Sequence, residues 1–300
     1  MSSGVTVVGS IALDSVDTPA GKSTDALGGS ATFISLAASH YTDVNIVGIV
    51  GTDFPQQGID LFKKFNVNTE GMEQVEGKTF RWTGHYHEDM NFRDTLETQL
   101  NVFENYHPRL PDRAREADYL FLGNIHPELQ LEVLEQAQPR FIAMDTMNLW
   151  IEIARDDLKN VLGKVHALII NNEEVDQLTG HRNLVHGARA LMDMGPEIVV
   201  IKKGEHGALL FEKDRVFSAP ALPMETVIDP TGAGDTFAGG FLGYIAQKGN
   251  RDWNTLRQAV IHGSVVASFT CEDFGPNRLA ELTDRDIALR YENFIELSRF

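Results

Sequence analysis

Asp229-Pro230-Thr231-Gly232-Ala233-Gly234-Asp235-Thr236-Phe237-Ala238-Gly239-Gly240-Phe241 joins a short apolar run to a helix. Thr226, Val227 and Ile228 before it read as the end of a strand. From Ala233 onward Phe237, Ala238, Phe241, Leu242, Ile245 and Ala246 recur at helical spacing, so a helix starts at the glycines. Gly232 and Gly234 carry no side chain to hold a ligand away, which leaves first-turn N–H groups free to face an anion at the positive end of the helix dipole. Asp235 beside such a nest repels a phosphate unless its charge serves the chemistry, for example by accepting the proton of an attacking hydroxyl. An acidic residue is also favoured in the first turn of any helix, so a plain capping role is the competing explanation. Gly234, Gly239, Gly240 and Gly243 all fall in the first turns of one helix, and each costs about 1 kcal/mol relative to alanine, so the segment gives up stability for close backbone approach. The stretch points to phosphoryl transfer.

Working outward, 300 residues suffice for one large core, and alternating strand and helix patterns favour a single α/β unit with a small appendage. A net charge of −17 argues against nucleic acid or an anionic membrane as a main partner. The single cysteine, Cys271, excludes an internal disulfide framework and suits a reduced compartment. The N-terminus lacks a basic region followed by a long apolar run, and no segment reaches the roughly eighteen apolar residues a membrane helix needs. A cytoplasmic enzyme is expected. The sequence has neither G-x-x-x-x-G-K-[ST] nor a G-x-G-x-x-G after the first strand, which disfavours two other nucleotide-binding architectures.

Asp229 to Gly240 resembles the C-terminal signature of the ribokinase/PfkB family of carbohydrate and nucleoside kinases, D-T-x-G-A-G-D, with Pro230 where threonine is usual. Four further landmarks occur in the family's order. Val5 to Ser10 followed by Asp14 is similar to the first strand and substrate-binding aspartate, and Gly28-Gly29-Ser30-Ala31-Thr32 to the substrate-side glycine pair. Asn171 and Glu174 fit N-x-x-E, and Lys203-Gly204-Glu205-His206-Gly207 resembles the glycine turn near the nucleotide.

The resemblance implies a three-layer αβα sandwich with a mainly parallel central sheet. One kinase domain over 1–300 would carry a small β-sheet lid from about 11–27 and 76–104. It implies ATP-dependent transfer of the γ-phosphoryl group to a hydroxyl of a small sugar or sugar-like substrate. Asp235 would act as base, with Gly232, Ala233 and Gly234 as the anion cradle. Asp14 would bind sugar hydroxyls, and Gly28 and Gly29 would let substrate approach the backbone. Glu174 with Asn171 would place Mg²⁺ through water, Lys203 and Gly204 would bound the ATP site, and His262 would line the adenine pocket. A monovalent cation, K⁺, near Asp229 and Thr231 is a further implication, as is pairing of lids in a homodimer. Alternatives are a nucleoside kinase and a non-catalytic ligand sensor that keeps the fold.

The residues by themselves leave several roles open. Ribose-binding members commonly place asparagine where Phe33 stands here. A phenyl ring makes no hydroxyl hydrogen bonds, so Phe33 either stacks on an apolar sugar face or nucleobase, or belongs to the core. Arg81 and Arg93, in the lid segment, match a substrate carboxylate or phosphate in geometry, or are solvated. Asp14, Asn124, Asp145 and Asn171 each follow a predicted strand, where ligands gather in parallel sheets and where polar residues are also common. By spacing alone Asn171 and Glu174 form a helix cap. His85 and His87 lack a third metal ligand at suitable spacing.

Overall fold

A computed structural model describes residues 4–299; residues 1–3 and 300 of the expected unit lie outside the described residues. The first half of the chain forms β1 (Val5–Val8), β2 (Ala12–Thr18), β3 (Gly21–Gly28), α1 (Ser30–Ala38), β4 (Val44–Gly51), α2 (Gln56–Lys64), β5 (Asn68–Val75), β6 (Phe80–Tyr86), β7 (Arg93–Gln99), α3 (Asp112–Arg115), β8 (Tyr119–Leu122), α4 (Pro127–Leu134) and β9 (Phe141–Asp145). The second half adds α5 (Asn148–Ile153), α6 (Arg155–Leu162), β10 (Ala167–Asn171), α7 (Asn172–Thr179), α8 (Leu184–Met192), β11 (Ile198–Lys202), β12 (Ala208–Glu212), β13 (Arg215–Ala219), α9 (Ala233–Lys248), α10 (Trp253–Thr270), α11 (Asn277–Ala280) and α12 (Asp284–Leu297).

Nine strands form the large sheet in the order β13-β12-β11-β10-β9-β8-β1-β4-β5. It is parallel from β5 to β11, and a hairpin adds β12 and β13 antiparallel. Its inner strands are apolar on both sides because both are covered. In β10, Ala167 and Ile169 enter one core with residues of α1, α9 and α10. Leu168 and Ile170 enter a second core with residues of α4, α6, α7 and α8. That alternation produces three layers.

A second sheet of four strands, β3-β2-β6-β7, stands over one end of the first. Thr18 Oγ1 donates to the Ile228 carbonyl at 2.9 Å, and Thr231 Oγ1 donates to the Tyr86 hydroxyl at 3.3 Å, so both of its inner strands touch the segment that leads into α9.

Three expectations change. Thr226-Val227-Ile228 is not a strand; among the described residues no neighbour pairs with it, and its Ile228 N–H donates to the carbonyl of Cys271 instead. Asp14 does not follow β1 but lies within β2, on the small sheet. Gly239, Gly240 and Gly243 inside α9 serve helix packing rather than a ligand. A Cβ on Gly239 would overlap the Ile34 carbonyl of α1, and one on Gly243 would stand 2.9 Å from the Cα of Ala38.

Candidate active site

The turn before α9 is held from both sides. Asp229 is buried, with Oδ1 accepting the Thr231 N–H at 2.9 Å and Oδ2 the Gly275 N–H at 3.2 Å. Gly232 takes a left-handed conformation at φ 76°, which favours glycine, and a Cβ there would also run into the ring of Phe33. The Ala233 N–H donates to the Pro230 carbonyl at 3.1 Å, and Thr236 N–H to the Gly232 carbonyl at 2.8 Å. Ala233 therefore closes the turn and is not one of the free donors expected of it. Gly232 and Gly234 keep theirs, with no backbone acceptor among the described residues. Two free N–H groups at the first turn of a helix suit a terminal phosphate.

Asp235 follows, partly exposed to the cleft yet enclosed by protein on most sides, and burial pushes its pKa up. The nearby Lys202 ammonium is the strongest influence in the other direction. Its carboxyl lies close enough to that of Asp145, the buried last residue of β9, for each to influence the other's ionisation. Asp145 is pushed well above the usual range, first by burial and then by the charge of Asp235.

Asp14 faces the same cleft from the lid. Burial, then the charges of Asp229 and Asp235, push its pKa up to about 7 against the lowering effect of the Gly29 N–H. Gly28 has its own reason to be glycine, because a Cβ there would overlap the Asp14 carboxylate. The glycine pair therefore seats Asp14: one leaves it room and the other donates to it. Phe33 is only 1% exposed and packs beneath Gly232, so it has no face to offer a substrate. Arg81 is likewise engaged, with Asp53 at 2.8 Å and Asp25 at 3.2 Å. Arg93 is exposed on β7, and its charge is felt at Asp235 and Glu174.

Asn171 and Glu174 form a reciprocal capping box on α7. Asn171 Oδ1 accepts the Glu174 N–H at 2.8 Å, and Glu174 Oε2 accepts the Asn171 N–H at 3.0 Å. The cap leaves Glu174 Oε1 uncommitted. Burial raises the pKa of Glu174, and Lys202 is the largest influence lowering it. Among the described residues no group of three or more His, Cys, Asp or Glu side chains could hold a metal directly. This donor set fits Mg²⁺, which keeps much of its water shell, better than an ion that needs a protein cage.

The nucleotide-side expectations shift by one residue. The Lys203 backbone closes the 204–207 turn by donating to the Gly207 carbonyl, and Gly204, at φ 54°, abuts Asn91 at the tip of the β6–β7 hairpin. Lys202, not Lys203, sends its ammonium to the tip of α9. His262 does not line the cleft. Its ring stacks on Tyr244 at 4.0 Å and on Tyr291 at 4.6 Å, its Nδ1 bonds the Tyr41 hydroxyl at 3.1 Å, and burial pushes its pKa down to about 4. With both ring faces covered it cannot stack on a base.

Lys202 and the pairing of Asp145 with Asp235 are thus what sequence reasoning missed. A polar residue ending each of two buried strands was the available signal, and it does not show which way either side chain points.

The profile of the pfkB family carbohydrate kinases matches residues 5–282. A cytidine kinase of Thermococcus kodakarensis is 30% identical over 241 residues, which cover 79% of this chain and 86% of that one. Among solved structures, the nucleoside kinase of Methanocaldococcus jannaschii superposes with a TM-score of 0.78 at 20% identity, covering 97% of this chain and 98% of the other. A putative ribokinase II from E. coli, in complex with ATP and Mg²⁺, superposes with a TM-score of 0.76 at 19% identity, covering 98% and 99%. With a profile match that runs from β1 to beyond α11 and a cradle-and-carboxylate site at its signature, the chain belongs to the pfkB family of carbohydrate kinases.

Proposed function

We propose that this kinase transfers the γ-phosphoryl group of ATP to a primary hydroxyl of a small sugar-bearing substrate, with Asp235 as the base. The observation that carries this is the conjunction at one tip: open N–H groups of Gly232 and Gly234 beside the Asp235 carboxylate in the same first helical turn. Asp14 on the lid meets the acceptor's hydroxyls, and Asp235 receives the proton of the attacking one as its oxygen bonds to phosphorus and the bond to the ADP oxygen breaks. The cradle N–H groups stabilise charge on the transferring group. Mg²⁺, when bound with the nucleotide, would offset phosphate charge, and Glu174 would hold it through water; the E. coli structure in complex with ATP and Mg²⁺ supports ATP and Mg²⁺ as the cofactors. The buried carboxylate of Asp229 beside Thr231 supports a monovalent cation there, for which stimulation of turnover by K⁺ over Li⁺ is the test. The exposed edge strand β7 supports a homodimer through the lid.

A nucleoside acceptor is the reading favoured within this class. The β2–β6 register sets Trp82 beside Asp14 on one face of the lid, and the indole lies over Gly84, where a Cβ would overlap it. An aromatic plane next to a hydroxyl-binding carboxylate fits a ribose with a base attached. The Thermococcus kodakarensis relative, a cytidine kinase, agrees with it.

ADP formation measured against sugars, sugar acids, inositols and nucleosides tests the acceptor. Asp235→Asn is expected to lower kcat by ~10²–10⁴ while nucleotide and acceptor Kd change little. Parallel loss of both affinities would make Asp235 structural.

A further inference from the structure

The acids around the cleft pose an electrostatic problem. Asp14 feels the charges of Asp229 and Asp235, Asp145 feels those of Asp235 and Glu174, and a triphosphate adds further negative charge. Two protein cations reach this group: Arg93 from the lid and Lys202 from the end of β11.

Lys202 is the more telling. Its register partner is Asn171, the cap of α7, so the strand end delivers it between the capping box and the tip of α9. There its Nζ stands 2.6 Å from where a Cβ on Gly234 would be. A cation at the positive end of a helix is unfavourably placed by itself. A lysine acting only as counter-ion to the acids would close on one of them. Among the described residues, however, Lys202 makes no ion pair and no hydrogen bond, although its charge is felt at Asp145, Glu174 and Asp235. An anion seated on the N–H groups of Gly232 and Gly234 would lie against the ammonium and satisfy it. The absence of a side chain at Gly234 gives the lysine and that anion access to the same point.

We infer that Lys202 is a catalytic residue whose ammonium contacts the terminal phosphoryl group of the nucleotide and offsets its charge during transfer. This rests on the kinase reading above. The neighbouring Lys203 lies beyond the end of β11, closes the 204–207 turn through its backbone and does not share the role.

The test is a ladder of AMP, ADP and ATP binding by calorimetry, beside steady-state turnover, for wild type, Lys202→Met and Lys202→Arg. Lys202→Met is expected to leave AMP affinity within about twofold, to weaken ATP about tenfold and more than ADP, and to lower kcat about a hundredfold, as befits a bound anion deprived of one cationic partner. Lys202→Arg should recover part of both. Equal weakening across the ladder would show that Lys202 merely supports the acids and would overturn the inference, as would native ATP affinity and kcat in Lys202→Met. Should Lys202→Met fail to fold, Lys202→Gln is read by the same ladder. A wild-type protein that binds no ATP would instead bring down the kinase reading itself.

Discussion

Carboxyl groups forced together out of water give this protein its most sensitive pH behaviour. Asp235 must be ionised to accept a proton, and its pKa is raised, so kcat/KM should climb with pH through a limb above the usual carboxylate range. The Asp145 hydrogen bond lowers the Asp235 pKa, so Asp145→Ala should move that limb to still higher pH, while Asp145→Asn, which keeps a donor, should move it less. An unmoved limb in Asp145→Ala, measured from about pH 5 to 9, would break the assignment. Asp14 makes a prediction about stability. Its folded pKa of about 7 exceeds the unfolded value of 3.8, so the folded state binds the extra proton between those values and ionisation costs stability as pH rises through the window. Asp14→Asn removes that cost. Its gain over wild type should be larger near pH 8 than near pH 4 by roughly 2 kcal/mol or more, read from urea unfolding at the two values.

Helix α9 carries the cradle at one end and a packing seam along its length, and its glycines divide between the two. Gly→Ala inside a helix ordinarily stabilises by about 1 kcal/mol. At Gly239 the new methyl would overlap the Ile34 carbonyl and lie 2.8 Å from the Cβ of Ala37, and overpacking of that kind costs about 1–3 kcal/mol, so steric conflict outweighs propensity. Gly239→Ala should therefore lower the urea midpoint without altering the slope. Of the strands, β8, β9, β10 and β11 were legible as short apolar runs because both of their faces are buried. Asn68–Val75 reads Asn-Thr-Glu-Gly-Met-Glu-Gln-Val, a polar edge strand whose pairing with β4 no local pattern announces. The β12–β13 hairpin escaped notice for a related reason, since its turn is Lys213-Asp214 rather than a glycine pair.

At the scale of the molecule, the lid and the large sheet meet through a few directed contacts. Thr18 to Ile228, Tyr86 to Thr231 and Asn91 against Gly204 bring the small sheet to both the acceptor and the nucleotide sides of the cleft. Loss of the Tyr86 hydroxyl in Tyr86→Phe should raise KM for the acceptor more than that for ATP. The outer edge strand β7 is exposed along nearly its whole length, with Leu96 63% exposed and the nearby Phe92 54%, an edge that pairing with a second lid would cover. Light scattering of the eluted protein should give the mass of a dimer, and Leu96→Lys should shift it toward 33.3 kDa. A monomeric wild type would refute the lid interface.

Apolar periodicity and the glycine signature determined the α/β class, the start of a helix at the glycines and the stretch on which the proposed cradle and base stand, because these depend on residues close together in the chain. The roles of Phe33, Asp145, Lys202 and His262 depended instead on how distant elements pack. Packing turns Phe33 under Gly232, closes both faces of His262, joins Asp145 to Asp235 across 90 positions of chain, and sends Lys202 rather than Lys203 into the cleft. Only the tertiary structure decides such matters, since burial and charge proximity are properties of space and not of sequence separation.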